Sequence, residues 1–302
     1  LNFFRARRQI QNKILFAQFL IVFYSVRSGV LRRHHGAQRE DDILAWMTAN
    51  GISVHYELAG QRGPVVLLLH ELGGTLESWD AVAPGLSERF QVLRYDQRGA
   101  GLSEKVRQPF GNDTAVDDLE GVLKGLSLAP PYHIVAVAAA STQAIGFMQR
   151  DPSRVGSLVL CNPALGVDPS RAGQLNDRAA LAEREGMRGV MSITLDKSYP
   201  PELSDRATYE AYRGRYLAND PVGFGLANRM LAQTNVISLL PQIKCPTLVI
   251  GGRHDTVRPP AGSEEIARKI AGARFELIEA GHFMPTTGPG ALLKLLQDFL
   301  PA

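Results

Sequence analysis

Downstream of Met47 the chain alternates short apolar runs with longer amphipathic ones. Ile52–Glu57 alternates apolar with polar residues like an antiparallel strand, and Gly60–Gly63 supplies a turn. Pro64–His70 (PVVLLLH) is a continuous apolar run, the pattern of a strand buried on both faces, and it ends in the glycine-containing ELGGT. Phe90–Asp96, His133–Val137, Ser157–Cys161, Pro246–Gly251 and Arg274–Ile278 predict further strands. Between and after them, Asn112–Leu126 is amphipathic, Gln143–Arg150 is helix-like and Ala291–Leu300 predicts a closing helix. Strands alternating with helices imply βαβ units, right-handed crossovers and a mostly parallel sheet, so the expected fold class is α/β.

From Asn162 to Gln242 the strand pattern stops. The segment is charged, Tyr-bearing and helix-like over Arg178–Thr194, Asp205–Ala218 and Pro221–Gln233. An insertion of this kind between two core strands predicts a helical lid over 163–242, with the core formed by 47–162 and 243–302. No internal repeat or low-complexity tract stands out.

Residues 1–46 differ from the rest. Ile14–Val26 is a nearly apolar run, interrupted by Gln18 and flanked by basic residues. It is shorter than the about 20 residues that span a bilayer, so no stable membrane span is expected. Its length suits the apolar part of a signal peptide, and its Arg-rich, acid-free flanks suit a transit peptide. No small-x-small cleavage site follows, and Arg27 ends the run. The plainer reading is an over-extended frame ahead of Met47, the first methionine, or a disordered extension. A cytoplasmic protein is expected, with membrane or export targeting as the alternative.

Composition narrows the partners. With 45% hydrophobic and 21% charged residues among 302, the chain is an ordinary globular sequence. The net charge of +3 is unevenly placed: residues 1–39 hold eight bases and no acid, leaving 25 bases against 30 acids elsewhere. A mildly acidic body gives no reason to expect nucleic acid. Cys161 and Cys245 lack metal-ligand or CxxC spacing and read as reduced, buried thiols.

In an open α/β sheet, functional groups collect on loops beyond the carboxyl ends of the strands. Four such loops carry chemistry here: ELGGT, HIVAVAAAST, GRHDTVRPP with Asp255, and AGHFMP with His282. HIVAVAAAST has the strand, sharp turn and helix of a G-x-S-x-G nucleophile elbow. In that frame Ala136 and Ala140 take the glycine positions, and Ala138 takes the serine position. The order elbow, acid, histidine is that of the α/β-hydrolases. With LLLHELGGT, RYDQRGAGLS, LVLCNPA, PTLVIGGRHDTVRPP and EAGHFMP also in sequence, residues 47–302 resemble a lidded, small-substrate α/β-hydrolase. Within that superfamily they are most similar to the 3-oxoadipate enol-lactonase group.

The resemblance implies Asp255 as the acid, His282 as the general base, and the backbone N–H groups of Leu72 and Ala139 as the oxyanion hole. Two positions depart from the pattern. Ala138 replaces the nucleophile, and Glu71 stands where a small residue is common. Turned inward, Glu71 would oppose an anion; it is expected to point away or to pair with a base. Ser141 or Thr142 is the candidate if the nucleophile has moved, and Trp79 is either core or the base of the pocket. Asp96 and Arg98 read as holding their loop. His133 and His254 lack the neighbours of a metal site, and neither metal nor cofactor is expected. Tyr209, Tyr212 and Tyr216 suit packing within the lid, while Arg213 and Arg215 could meet a substrate carboxylate.

Three explanations of Ala138 stay open: an engineered Ser-to-Ala change, a relocated nucleophile, or a native site that needs no serine. The last suits an activated carbonyl compound such as an enol-lactone, ester or β-dicarbonyl. On such a substrate an Asp–His dyad need only deprotonate water or a carbon acid. The expectation is therefore a hydrolase or lyase acting on a small molecule. The rival is a catalytically inactive small-ligand-binding protein, and the oligomeric state is left open.

Overall fold

The computed structural model describes residues 43–301, so the Ile14–Val26 run and its leader readings lie outside the described residues. Eight strands form one sheet: β1 Ile43–Ala49, β2 Ile52–Ala59, β3 Val65–Leu69, β4 Gln91–Tyr95, β5 Tyr132–Val137, β6 Val155–Cys161, β7 Thr247–Gly252 and β8 Arg274–Ile278. Their order is β1-β2-β4-β3-β5-β6-β7-β8. β2 is antiparallel to both β1 and β4, and the remaining neighbours run parallel. The main helices are α1 Asn112–Gly125, α2 Ala140–Arg150, α3 Pro169–Gly189, α4 Arg206–Ala218, α5 Pro221–Gln233, α6 Pro260–Arg268 and α7 Pro289–Phe299.

The first strand corrects the boundary drawn at Met47. Ile43–Trp46 already pairs with Leu58–His55, and Trp46 lies 4.6 Å from the His55 ring, centroid to centroid. The sheet therefore includes Ile43–Trp46, four residues of the segment set aside as an extension.

Successive residues of a strand point to opposite faces, and the parallel strands use both. Leu67, Leu69, Ile134, Leu158 and Val249 pack with the inner faces of α1 and α2. Val66, Leu68, Val135, Val159 and Leu248 pack with Trp79, Leu292 and Leu296 on the other side. Leu67 is fully buried, so Leu67→Ala is expected to cost about 2–5 kcal/mol, read from urea unfolding midpoints.

Residues 163–242 join β6 to β7 through α3, α4 and α5. Each of these helices opens on an aspartate that accepts from the first turn: Asp168 from Arg171 N, Asp205 from Thr208 N and Asp220 from Gly223 N. Helix α3 starts nine residues ahead of the predicted Arg178 and breaks at Gly186, where φ is 73°. Its start is marked by Asp168-Pro169 rather than by apolar periodicity, and so falls outside the hydrophobic pattern. Helix α6 also escaped the pattern. Cys161 is fully buried as expected, but Cys245 is only half-buried, and burial raises the pKa of both free thiols.

Candidate active site

The turn between β5 and α2 is built around Ala138. Its φ of 51° lies in the left-handed region, which costs a residue other than glycine about 1–2 kcal/mol. Surrounding hydrogen bonds hold it there: Ala138 N donates to Cys161 O (2.9 Å), while Ala138 O accepts from Ser141 N and Ala164 N (3.1 Å each). The result is a strand, a tight turn and a helix, with the Ala138 methyl on the wall of a cavity of about 550 Å³.

His282 and Leu72 line the same cavity, as do Arg171, Leu175, Arg178, Tyr216 and Phe224 from the segment between β6 and β7. His282 sits on the loop after β8 and Asp255 on the loop after β7. His282 Nδ1 lies 2.7 Å from Asp255 Oδ2, and both residues are buried. The other carboxylate oxygen, Oδ1, accepts from Val257 N and Arg258 N, each at 2.8 Å. A carboxylate facing Nδ1 selects the tautomer protonated there, so Nε2 is the nitrogen free to take a proton. Near Ala138 and Leu72, turn bonds run between other atoms: Gly74 N to Glu71 O and Thr142 N to Ala139 O. Leu72 and Ala139 both line that cavity.

Asn162, to which the sequence pattern gives no role, braces these loops. Its Nδ2 donates to Gly281 O (3.0 Å) and His282 O (3.1 Å), and its Oδ1 accepts from Gly252 N (2.7 Å). A polar residue closing an apolar strand was the signal that could have singled it out.

The remaining candidates fall in several places. Glu71 is fully buried, and its Oε1 accepts from Ser78 Oγ (2.7 Å) and Tyr212 OH (2.6 Å), so its partners are hydroxyls rather than a base. Burial, reinforced by Glu71, raises the Tyr212 pKa well above its ordinary value, which keeps the phenol a donor. Tyr212→Phe is expected to cost about 1–3 kcal/mol, measured as a shift in denaturation midpoint. Ser141 is buried in the first turn of α2 and is not a residue of the cavity at Ala138. Thr142 Oγ1 donates to Ala139 O (2.9 Å). Trp79 is core, fully buried, and contributes nothing to that cavity wall.

Asp96 and Arg98 do hold loops. Asp96 accepts from Leu76 N, Leu102 N and His55, and Arg98 pairs with Asp118. Tyr216 packs edge-on against Phe224 and hydrogen-bonds to Thr194, whereas Tyr199 packs against Tyr209. Arg213 pairs with Glu210, and Arg215 lies over the Tyr212 ring, so neither is a residue of the cavity at Ala138. The arginines that do line it are Arg171, Arg178 and Arg258. His133 bonds to Ser157 and His254 to Glu279, and no group of three His, Cys, Asp or Glu among the described residues could hold a metal.

A second cavity of about 690 Å³ shares Leu72, Ala139 and Phe224 with the first and adds Tyr95, Phe110 and Met230 to its lining. No helix among the described residues is long and apolar enough to cross a membrane.

Comparison with known proteins agrees with this architecture. The chain is 28% identical over 267 residues to the RutD protein of Caulobacter segnis, whose name assigns it carbamate hydrolysis; the match covers 84% of this chain and 97% of that one. It is 22% identical over 253 residues to 3-oxoadipate enol-lactonase 2 of Acinetobacter baylyi, covering 81% and 92%. The crystal structure of the enol-lactonase from Burkholderia xenovorans superposes with a TM-score of 0.78 at 27% identity, covering 84% of this chain and 98% of that one. These relatives place the chain among hydrolases. Residues 64–289 match the family described as the alpha/beta hydrolase fold, and the protein belongs to that family.

Proposed function

We propose that this protein is a cofactor-free hydrolase or lyase for a small activated carbonyl compound, working through Asp255 and His282 without a serine nucleophile. The observation that carries the reading is the 2.7 Å His282–Asp255 hydrogen bond beside the cavity whose wall includes Ala138. His282 Nε2 would take a proton from water or from a carbon acid, a step worth about 10²–10⁴ in rate. Asp255 would orient the ring and stabilise the imidazolium. The N–H groups of Leu72 and Ala139 would hold the oxyanion or enolate, and being main-chain groups they survive side-chain change. The enol-lactonase and carbamate-hydrolase names of the relatives suggest lactone and carbamate substrates to try first. The reaction is placed in the cytoplasm in this reading.

Wild type and His282→Ala are to be assayed on small enol-lactones, carbamates, aryl esters and β-diketones. His282→Ala is expected to lose about 10²–10⁴ in kcat/KM on the substrate that wild type turns over. Equal activity of the two proteins would rule out the dyad. Absence of turnover, with ligand binding intact, would favour a binding protein, the reading to which the Ala138 methyl itself points.

A further inference from the structure

The wall of the cavity at Ala138 has an electrostatic character that the dyad does not explain. Arg171 and Arg178 lie seven residues apart on α3, two turns along one face, with Leu175 between them; all three line the cavity. Arg258 reaches the same space from the loop after β7. The lining contains these three guanidinium groups and no Asp or Glu. None of the three is in an ion pair among the described residues, whereas Arg94, Arg98, Arg107, Arg150 and Arg229 all are.

Arg178 is fixed in place by neutral groups. Its Nε donates to Asn228 Oδ1 (2.5 Å), and Asn228 Nδ2 in turn donates to Phe224 O (2.7 Å). Its guanidinium carbon lies 5.8 Å from the Phe224 ring centroid. A guanidinium held by Nε alone still presents the donors of its two terminal nitrogens. Burial, opposed by Tyr216 and reinforced by the neighbouring cation Arg171, pushes the Arg178 pKa down to about 10, so it stays charged at neutral pH with no carboxylate beside it among the described residues. Burial and Arg171 lower Arg258 as well, against the pull of Asp255. Three like charges converging in a half-buried space are costly unless anionic charge joins them.

We infer that the substrate carries a dianionic head group, which Arg171, Arg178 and Arg258 bind together on the lid side of the cavity. This deepens the proposed function and rests on the same site. Asp255 faces His282 and is already engaged by two N–H groups, so it cannot neutralise all three arginines. A monoanion would leave most of that charge unanswered, whereas a dianion offsets two of the three. Guanidinium geometry suits carboxylate and phosphate oxygens equally, so the shared chemistry is a compact dianion, either a dicarboxylate or a phosphoryl group. The second cavity, with Tyr95, Phe110 and Met230 on its wall, offers space for an apolar part of the same molecule across Leu72 and Ala139. The reacting carbonyl would then lie between head and tail, beside the two N–H groups.

The test is a binding titration of the full chain at pH 7.5 with succinate, inorganic phosphate and acetate, followed by calorimetry. Succinate or phosphate is expected to bind at least about 10-fold tighter than acetate, and the better of the two identifies the dianion's chemistry. Arg178→Gln and Arg258→Gln are each expected to weaken that binding by about 10-fold or more, while Arg213→Gln, paired with Glu210 away from the cavity, leaves it unchanged. Having two independent variants keeps the test decisive where one of them fails to fold. The inference is overturned if the three anions bind alike, or if both glutamine variants bind as wild type does. Because binding is read without turnover, a failed dyad leaves this result standing. Conversely, His282-dependent turnover with no dianion preference overturns the arginine assignment alone.

Discussion

Ala138→Ser is expected to raise hydrolysis of aryl acetates by about 10³-fold or more over wild type, and to make the protein a target for fluorophosphonate labelling at residue 138. In the proposed reading the acid, the base and the main-chain donors already surround residue 138. The turn already holds residue 138 at a φ of 51°, and serine adds one oxygen to the methyl without branching at Cβ. His282 lines the same cavity with Nδ1 committed to Asp255, which leaves Nε2 to take the new hydroxyl's proton. Loss of the serine from an assembled triad costs about 10⁶ in kcat, so restoring it has a large range to recover. The gain is expected to vanish in the Ala138→Ser, His282→Ala double variant, because the serine is weak without its base. Hydrolysis rates and mass spectrometry of the labelled peptide check both parts. An unlabelled, unimproved Ala138→Ser protein would show that His282 does not reach the elbow.

The largest loss of stability is expected at Asp96. Its side chain is fully buried and accepts from Leu76 N (2.8 Å), Leu102 N (2.7 Å) and His55 Nδ1 (2.7 Å), which ties the β4 loop to β2 and to the turn after β3. Asp96→Ala strands His55 and two N–H groups in the interior and is expected to cost about 3–5 kcal/mol at pH 7. Burial by itself would raise the Asp96 pKa. The His55 hydrogen bond, the His70 charge and the two N–H groups outweigh burial and hold it below the ordinary 3.8. A carboxylate whose pKa is depressed on folding contributes stability that is complete above its unfolded value, near 4, and is lost as pH falls through the folded value. The gap between wild type and Asp96→Ala should therefore be widest at pH 5–7 and shrink below about pH 4. Urea midpoints across that range measure it, and a gap that grows in acid would contradict the assignment.

The sheet was legible in the sequence because parallel strands buried on both faces are written as unbroken apolar runs. Val65–Leu69 and Thr247–Gly252 are cases in point. Only the first residues of β1, Ile43–Trp46, fell outside the pattern, because they sit beside a basic, apolar stretch that has no globular pattern and because Met47 drew the boundary into mid-strand. Asp255 and His282 are named by the family resemblance, with which their loop positions and chain order agree. The arginines are not. Arg171 and Arg178 look like ordinary polar positions of a charged helix, and Arg258 lies 80 residues beyond Arg178, so only tertiary packing brings them to one wall. Arg213 and Arg215, which by their sequence could also meet a carboxylate, pair with Glu210 and lie over Tyr212 instead and do not line that cavity. Glu71 shows the same limit: its partner Tyr212 is 141 residues away.

The left-handed backbone at residue 138 also bears on the chain's mutational neighbourhood. Alanine, serine and threonine codons differ only in their first base, so either hydroxyl residue is a single step from Ala138. At a φ of 51° the two steps are not equivalent, because a β-branched side chain is an outlier in that region. Threonine would be selected against by folding before its chemistry could be sampled, and serine would not. The bend in the backbone thus acts as a filter on which nucleophile this site can acquire, and leaves a one-base path to a complete triad.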